Sequence, residues 1–303
     1  MVARCLLAAV ALSFGSAWAA GLTAYQLECG ARHDPLGIDV AHPRLSWKLK
    51  SDKRGDSQVA YQILVASSAG KLSAGQGDLW DSGRLASSET AWIAYAGAPL
   101  HSFQHCWWKV HVWSSLGGAS AWTEPAGWTM GITDERDRKG RWISTPGNAL
   151  RSGPMPLFRH EFTVDRPLRC ALVFVSGLGF DELRINGAKV GNNVLEPAWT
   201  NFRDTVYYES YDVTKSLRSG ANAIGVMLGN GFYNVVGGRY AKYTGSFGAP
   251  RLWLQLHLEF DDGSSRDVAT DRSWKVHDGP ITFSDTYGGE DFDARLEPRG
   301  WDR

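Results

Sequence analysis

The chain has 303 residues, with 32 Lys and Arg against 32 Asp and Glu, so its formal net charge is zero. That balance argues against nucleic-acid binding through bulk positive charge and against an acidic disordered tail. Hydrophobic residues at 43% and charged residues at 21% are ordinary globular values, and the length suits about two domains with separate cores. The outliers are 14 Trp and 34 Gly against 4 Met. Many aromatics and glycines with few helix formers predict β-architecture with many turns. Indole rings stack on sugars, but they fill sandwich cores equally well.

The first segment reads as a leader. Arg4 supplies a positive start, Cys5 to Phe14 is apolar, and Ala17-Trp18-Ala19 places small residues at the cleavage positions. This predicts a signal peptide over residues 1–19, cleaved near Ala19, and export to the periplasm or the medium. No later run reaches the roughly 20 apolar residues of a membrane span. Cys5 leaves with the leader. Cys29, Cys106 and Cys170 then allow at most one disulfide; Cys106 and Cys170 fall inside apolar strand patterns and read as small buried hydrophobes.

From Arg44 onward short alternating runs follow one another. Arg44–Leu49, Ala60–Ala66, Thr90–Tyr95 and Cys106–Ser114 read as strands, Trp80 to Gly83 as a turn, and Gly117-Gly118 as the close of a hairpin. Trp122 and Trp128 fall on the last strands. Such spacing predicts a fibronectin type III-like sandwich over residues 20–135, with most of its tryptophan in the core. The apolar-free stretch Thr133 to Lys139 reads as a solvated linker.

The second domain is expected over residues 140–303. Its strand-like runs are Leu157–Val164, Ala171–Ser176, Phe180–Ile185, Val206–Tyr211, Ala223–Leu228, Arg251–Phe260 and Trp274–Val276. Asn186-Gly187 is a type I′ hairpin signal, and Asp262-Gly263 repeats it after Phe260. Asp212 or Thr214 is placed to cap one helical turn ended by Gly220. No long amphipathic helix and no repeat is evident, so the fold class is all-β: two β-sandwiches in series.

The run from Ser176 to Gly187, then Val190-Gly191 and Leu195 to Thr200, resembles the N-terminal jelly-roll domain of bacterial α-L-rhamnosidases. So do Tyr211 to Thr214, Gly229 to Tyr233, and the closing run from Asp271 through Gly289-Glu290 and Asp293-Ala294-Arg295 to Gly300-Trp301. The fibronectin-like domain is similar to the first domain of the same enzymes. The resemblance implies a galactose-binding-like jelly roll and a parent activity that releases terminal α-L-rhamnose with inversion. It also implies a catalytic (α/α)6 barrel C-terminal to these domains, for which the residues up to Arg303 leave no room. The chain by itself is therefore expected to be inactive: an accessory region of a longer or split enzyme. The alternatives are a free-standing exported carbohydrate-binding protein and a purely structural sandwich pair. An exposed apolar patch on the second domain would favour an accessory or structural role.

The residues themselves offer little catalytic chemistry. Glu290, Asp291 and Asp293 are the acid cluster weighed for an inverting pair, and pairing of one acid with Arg295 is the stronger reading. His101 and His105 on a strand would lie about 13 Å apart, too far for one metal ion. Gly177-x-Gly179 and Gly229-Asn230-Gly231 are bends and lack the helix of a phosphate cradle. No cofactor is required. The family resemblance implies L-rhamnose recognition in a jelly roll, with calcium as a candidate ion. The candidate sugar contacts are Asp181, Asn192, Asn193, Trp199, Asn230 and Tyr233, with Phe232 as a further platform; Asp181 and Asn230 are the candidate calcium ligands. For Asn186 the turn role takes precedence over a ligand role. The expected partners are an L-rhamnose-containing glycan and a catalytic barrel, with no nucleic acid and no membrane span.

Overall fold

Alternation builds the first core. In the computed structural model, which describes residues 21–146, 153–240 and 242–303, the predicted leader lies outside the described residues. The first domain contains β1 (Thr23–Cys29), β2 (Arg44–Lys50), β3 (Gln58–Ala66), a short helix α1 (Ala69–Ser73), β4 (Trp80–Asp81), β5 (Ile93–Ala94), β6 (His105–Ser114) and β7 (Ala126–Thr129). β1-β2-β5 forms one sheet and β4-β3-β6-β7 the other, all antiparallel. On β6 the side chains of Cys106, Trp108, Val110 and Val112 enter the core opposite Ile63 and Val65 of β3. Burying each such large side chain contributes about 1.5–3 kcal/mol. Trp47 packs edge-on against Tyr61 at 5.2 Å and donates to the buried Gln58 carboxamide at 3.0 Å. The Tyr95 hydroxyl ties the loop before it, through Leu79 O, to the loop after it, through Ala98 O.

Two expectations for this domain need correction. Trp80–Asp81 is an edge strand paired with Val65 and Leu64, not part of a turn. Of Thr90–Tyr95 only Ile93–Ala94 joins a ladder, because Trp92 takes a left-handed φ of 60° and interrupts the strand. Most of the described tryptophans of this domain do pack in a core, as expected, with Trp80 and Trp122 partly buried against the clusters. Trp47, Trp108 and Trp128 are buried, but alternation turns Trp107 outward and Trp92 is 61% exposed. The three cysteines are free thiols; burial pushes Cys29 and Cys106 up to about 12 and Cys170 up to about 11.

The second domain contains β8 (Pro156–Val164), β9 (Leu168–Leu178), β10 (Asp181–Ile185), β11 (Ala188–Lys189), β12 (Glu209–Asp212), β13 (Gly220–Leu228), β14 (Asn234–Val235), β15 (Gly245–Ser246), β16 (Arg251–Phe260), β17 (Ser265–Ala269), β18 (Lys275–Asp278), β19 (Ile281–Asp285) and β20 (Gly289–Phe292). β11-β10-β13-β8-β18 is a five-stranded sheet and β12-β9-β16-β17 a four-stranded one. The core lies between them, from Phe158, Val173, Val175, Leu183, Ile185, Ile224, Val226, Leu254, Leu256 and Leu258 among others. Two small ribbons, β14-β15 and β19-β20, sit outside these sheets. β17, β19 and β20 were not expected, since their polar and charged residues break the apolar pattern.

Asn186 and Gly187 both take positive φ, 51° and 87°, as a type I′ turn requires. The Asn186 side chain also accepts from Ala223 N and donates to Asn222 and Ser216 O, so its role is architectural. At Asp262-Gly263 only Gly263 is left-handed, so that hairpin closes through a wider turn. The turn at Thr214–Ser216 has Val213 at its cap position and no side-chain cap, so neither Asp212 nor Thr214 caps it; Asp212 accepts from Thr214 N and from its hydroxyl just before the turn.

The linker is less free than its composition suggests. Its side chains are largely exposed, yet its backbone is fastened to the second domain: Lys139 N donates to Gln255, and Gln255 donates back to Asp137 O. Arg141 N donates to Thr270 O, and Ile143 pairs with Leu252. A shared apolar seam joins the domains, where Phe103 stacks on His257 at 4.0 Å and tilts against Phe174 at 5.5 Å. Gly131 permits this approach, because a Cβ there would lie 2.3 Å from the Tyr208 hydroxyl. At the far end, Trp301 and Asp302 are buried on the five-stranded sheet, with Asp302 paired to Arg184 at 2.7 Å.

Candidate functional site

Period two places Asp181, Leu183 and Ile185 on one face of β10, and Glu209 and Tyr211 on one face of β12. Leu183, Ile185 and Tyr211 belong to the core, so both carboxyls point into the mouth of the sandwich, one from each sheet. Residues 190–208 loop across that mouth and carry Asn192, Asn193, Glu196 and Trp199. The loop is pinned by Asp181 N donating to Glu196 O at 2.8 Å.

The expected residues divide here. Trp199 is 65% exposed and lies flat on Phe232, with ring centroids 4.8 Å apart and planes 12° from parallel. Phe180 and Tyr287 support Phe232 edge-on, so Trp199 presents a broad face on a braced base. Asn192 and Asn193 are exposed on the same loop, and Asn193 reaches the Tyr211 hydroxyl at 3.4 Å. These three are accessible to a ligand.

Asn230 and Tyr233 are not. Asn230 is fully buried; it donates to Ser284 O and accepts from Asn234. Tyr233 is 7% exposed, with its hydroxyl bound to Phe247 O. Both read as ligand contacts from their types and their loop, but β19 closes over the first and the Phe202 and Phe247 rings over the second. Asp181 points inward, and the Asn230 amide bonds Ser284 O and Asn234. Among the described residues no group of three or more His, Cys, Asp or Glu is arranged to hold a metal ion.

The sequence does not single out Glu196 and Glu209, while in the cluster of Glu290, Asp291 and Asp293 the expected pairing with Arg295 is borne out. Asp291 forms an exposed pair with Arg239, and Asp293 pairs with Arg295 at 2.6 Å. The notable carboxyls are Asp181, Glu196 and Glu209. Asp181 Oδ2 and Glu209 Oε2 are sealed from solvent without a hydrogen-bond partner. Burial pushes Asp181 up to about 7, opposed by the Gly177 N–H and aided by Glu196. Burial, the Asp181 charge and the nearby Glu196 carboxyl push Glu209 well above the carboxylate range. The available signal was an acid at the core phase of an alternating run, in D-x-L-x-I and E-x-Y-x-V.

A separate cleft of about 400 Å³ lies between the domains, walled by Trp142, Tyr208, Trp253 and Arg138; none of the predicted site residues lines it. Among the described residues no helix is long and apolar enough to cross a membrane.

Comparison with known proteins agrees with this layout. A family model for the Rha78A-like N-terminal immunoglobulin domain matches residues 24–134. A model for the alpha-L-rhamnosidase N-terminal domain matches residues 166–303. An alpha-L-rhamnosidase of Formosa agariphila is 34% identical over 300 residues, which is 89% of this chain but 31% of that protein. The structure of alpha-L-rhamnosidase from Dictyoglumus thermophilum matches with a TM-score of 0.83 at 35% identity, covering 92% of this chain and 32% of that one. The Streptomyces avermitilis alpha-L-rhamnosidase complexed with L-rhamnose has a TM-score of 0.86 at 23% identity, covering 93% and 43%, and speaks to the fold alone. The chain thus spans about a third of the first two relatives, and the rest of their length has no counterpart in these 303 residues. In sequence and in domain order it matches the N-terminal region of the α-L-rhamnosidases, an immunoglobulin-like domain followed by the N-terminal rhamnosidase domain, and belongs to that family.

Proposed function

We propose that this region is exported and recognises L-rhamnose-containing glycans for a catalytic domain of the kind that would occupy the remaining length of its relatives. The observation that carries the reading is the Trp199 face, 65% exposed and braced on Phe232, with Asn192 and Asn193 on the same loop. A sugar ring has one apolar face and a rim of hydroxyls, so an indole beside amide side chains suits it. Calcium is an optional participant and enters as one arm of the test.

Calorimetry of the full chain with L-rhamnose, with and without calcium, tests the reading. Millimolar binding that Trp199→Ala abolishes is expected; no heat at any millimolar concentration would sink it. On an aryl α-L-rhamnoside the chain alone is expected to release nothing above blank.

A second reading has its own observation. Val194, Leu195 and Tyr207 on the Trp199 loop, and Tyr240, Tyr243 and Phe247 in the segment around β14 and β15, are also 40% or more exposed. That is more apolar surface than one sugar ring covers, and it suits packing against another polypeptide domain. On this reading the chain without that domain self-associates, and the self-association is reduced in a Val194→Asp, Leu195→Asp variant.

A further inference from the structure

Sugar recognition on Trp199 makes no use of three carboxyls at its loop: Asp181 and Glu209, at strand positions that alternation reserves for the core, and Glu196 on the loop itself. We propose that Asp181, Glu196 and Glu209 form a proton-sharing clasp that holds loop 190–208, and with it the Trp199 face, across the mouth of the sandwich. The clasp deepens the sugar-binding reading, and its consequence for binding rests on that reading.

The geometry is a three-way junction. Asp181 comes from β10 of the five-stranded sheet, Glu209 from β12 of the four-stranded sheet, and Glu196 from the loop. Glu196 is three residues before Trp199 and is already bound through its carbonyl to Asp181 N. Its carboxyl is close enough to raise Glu209. The sealed, unpartnered oxygens Asp181 Oδ2 and Glu209 Oε2 mark the centre. Gly177 of β9 makes room, since a Cβ there would lie 2.9 Å from Asp181 Oδ2.

The other groups facing the junction supply no positive charge. β9 offers the Gly177 N–H, β13 the Leu228 side chain, and β12 the Tyr211 hydroxyl, which is held by Asn193. Arg184 and Lys189 pair with Glu182 on the outward face of the sheet. Among the described residues no Lys, Arg or His pairs with any of the three carboxyls.

Three part-buried carboxylates, two of them with an oxygen sealed from solvent and none paired with a cation, repel one another and lose hydration. A proton taken from solvent changes the sign of the interaction: a protonated carboxyl donates its O–H to the facing carboxylate, and two repelling groups become one hydrogen-bonded pair. Losing that proton restores the repulsion, which falls on Glu196 because the loop is the least anchored of the three elements.

The test is unfolding of the full chain across pH, read beside acrylamide quenching of Trp199, isolated as the difference between wild type and Trp199→Phe. The unfolding midpoint is expected to fall, and Trp199 quenching to rise, as pH increases from about 5 to about 8. Asp181→Asn and Glu209→Gln keep side-chain size and remove the titration, so both should flatten the two profiles. A wild-type midpoint that is flat or rises over this range would overturn the proposal, as would variants with the wild-type slope; the wild-type profile decides alone should a variant not fold. Recovery of the pH 5 midpoint at pH 8 by millimolar calcium chloride would make the junction a cation site, and the proton-sharing clasp would be wrong. Neither readout uses sugar, so an unaffected rhamnose titration of Trp199→Ala removes the binding role and leaves the clasp to stand on its pH profile.

Discussion

The two domains use the same residue type in opposite ways. In the first, Trp47, Trp108 and Trp128 are sealed in the core. In the second, Trp199 stands on a loop with its face to solvent and another ring under it. Trp92 and Trp107 of the first domain are also exposed, but among the described residues neither lies on a second ring. Exposure alone therefore does not mark a binding face, because scattered apolar side chains are ordinary on protein surfaces. A braced, stacked pair is different: its order is supplied before any ligand arrives, which lowers the entropic cost of binding.

Substitutions can break this contrast. Trp108→Ala should destabilise the first domain by about 3–5 kcal/mol, because it leaves an indole-sized cavity in a packed core. Urea unfolding measures it. Phe103→Ala should cost about 3 kcal/mol at the seam where Phe103 stacks on His257. It should also split a single calorimetric transition into two; one unsplit transition would mean the seam does not couple the domains. Tyr95→Phe should cost about 1–2 kcal/mol by releasing the two carbonyls its hydroxyl binds. Trp199→Ala should change stability by no more than about 0.5 kcal/mol while removing sugar binding. A large stability loss at Trp199 would erase the distinction drawn above.

Acid and base should also separate the domains. In the first, hydrogen bonds from Lys71 and Ser67 outweigh a desolvation that acts the other way and pull Asp78 down to about 2. Its folded value lies below its unfolded value, so its stabilisation is present above about pH 4 and is lost as pH falls toward 2. Asp78 is part-exposed, so the contribution is under about 1 kcal/mol. In the second, burial raises Asp181 from 3.8 to about 7. Its folded value lies above its unfolded value, so the protonated carboxyl favours the fold fully below pH 3.8, and that preference is lost as pH rises through about 7. Hydrogen exchange resolved by domain should show the first domain loosening in acid and the loop 190–208 loosening toward alkaline pH.

Much of the architecture was readable in order along the chain. The β2, β3, β6, β8, β13 and β16 runs were found because each alternates or is continuously apolar, and Asn186-Gly187 because both central positions of its turn need positive φ. β17, β19 and β20 escaped because they are short and mostly polar, with only Val268, Ile281 and Asp285 buried among them. Of the site, Trp199, Asn192 and Asn193 were legible as polar and aromatic residues on a loop. Asn230 and Tyr233 looked the same in sequence and proved structural, since residue type does not tell which loops fold back over which.

Local physics determined the all-β class and the two-domain order, because alternation and turn chemistry are written along the chain; the family followed from the resemblance of its ordered motifs to known relatives. Only the tertiary structure decided that Glu196 and Glu209 meet Asp181, that Trp199 rests on Phe232 and that the linker is fastened to β16. Each of these contacts joins residues far apart in sequence or on different sheets. Their meeting depends on how the strands are ordered across the sandwich, and a period of two says nothing about that order.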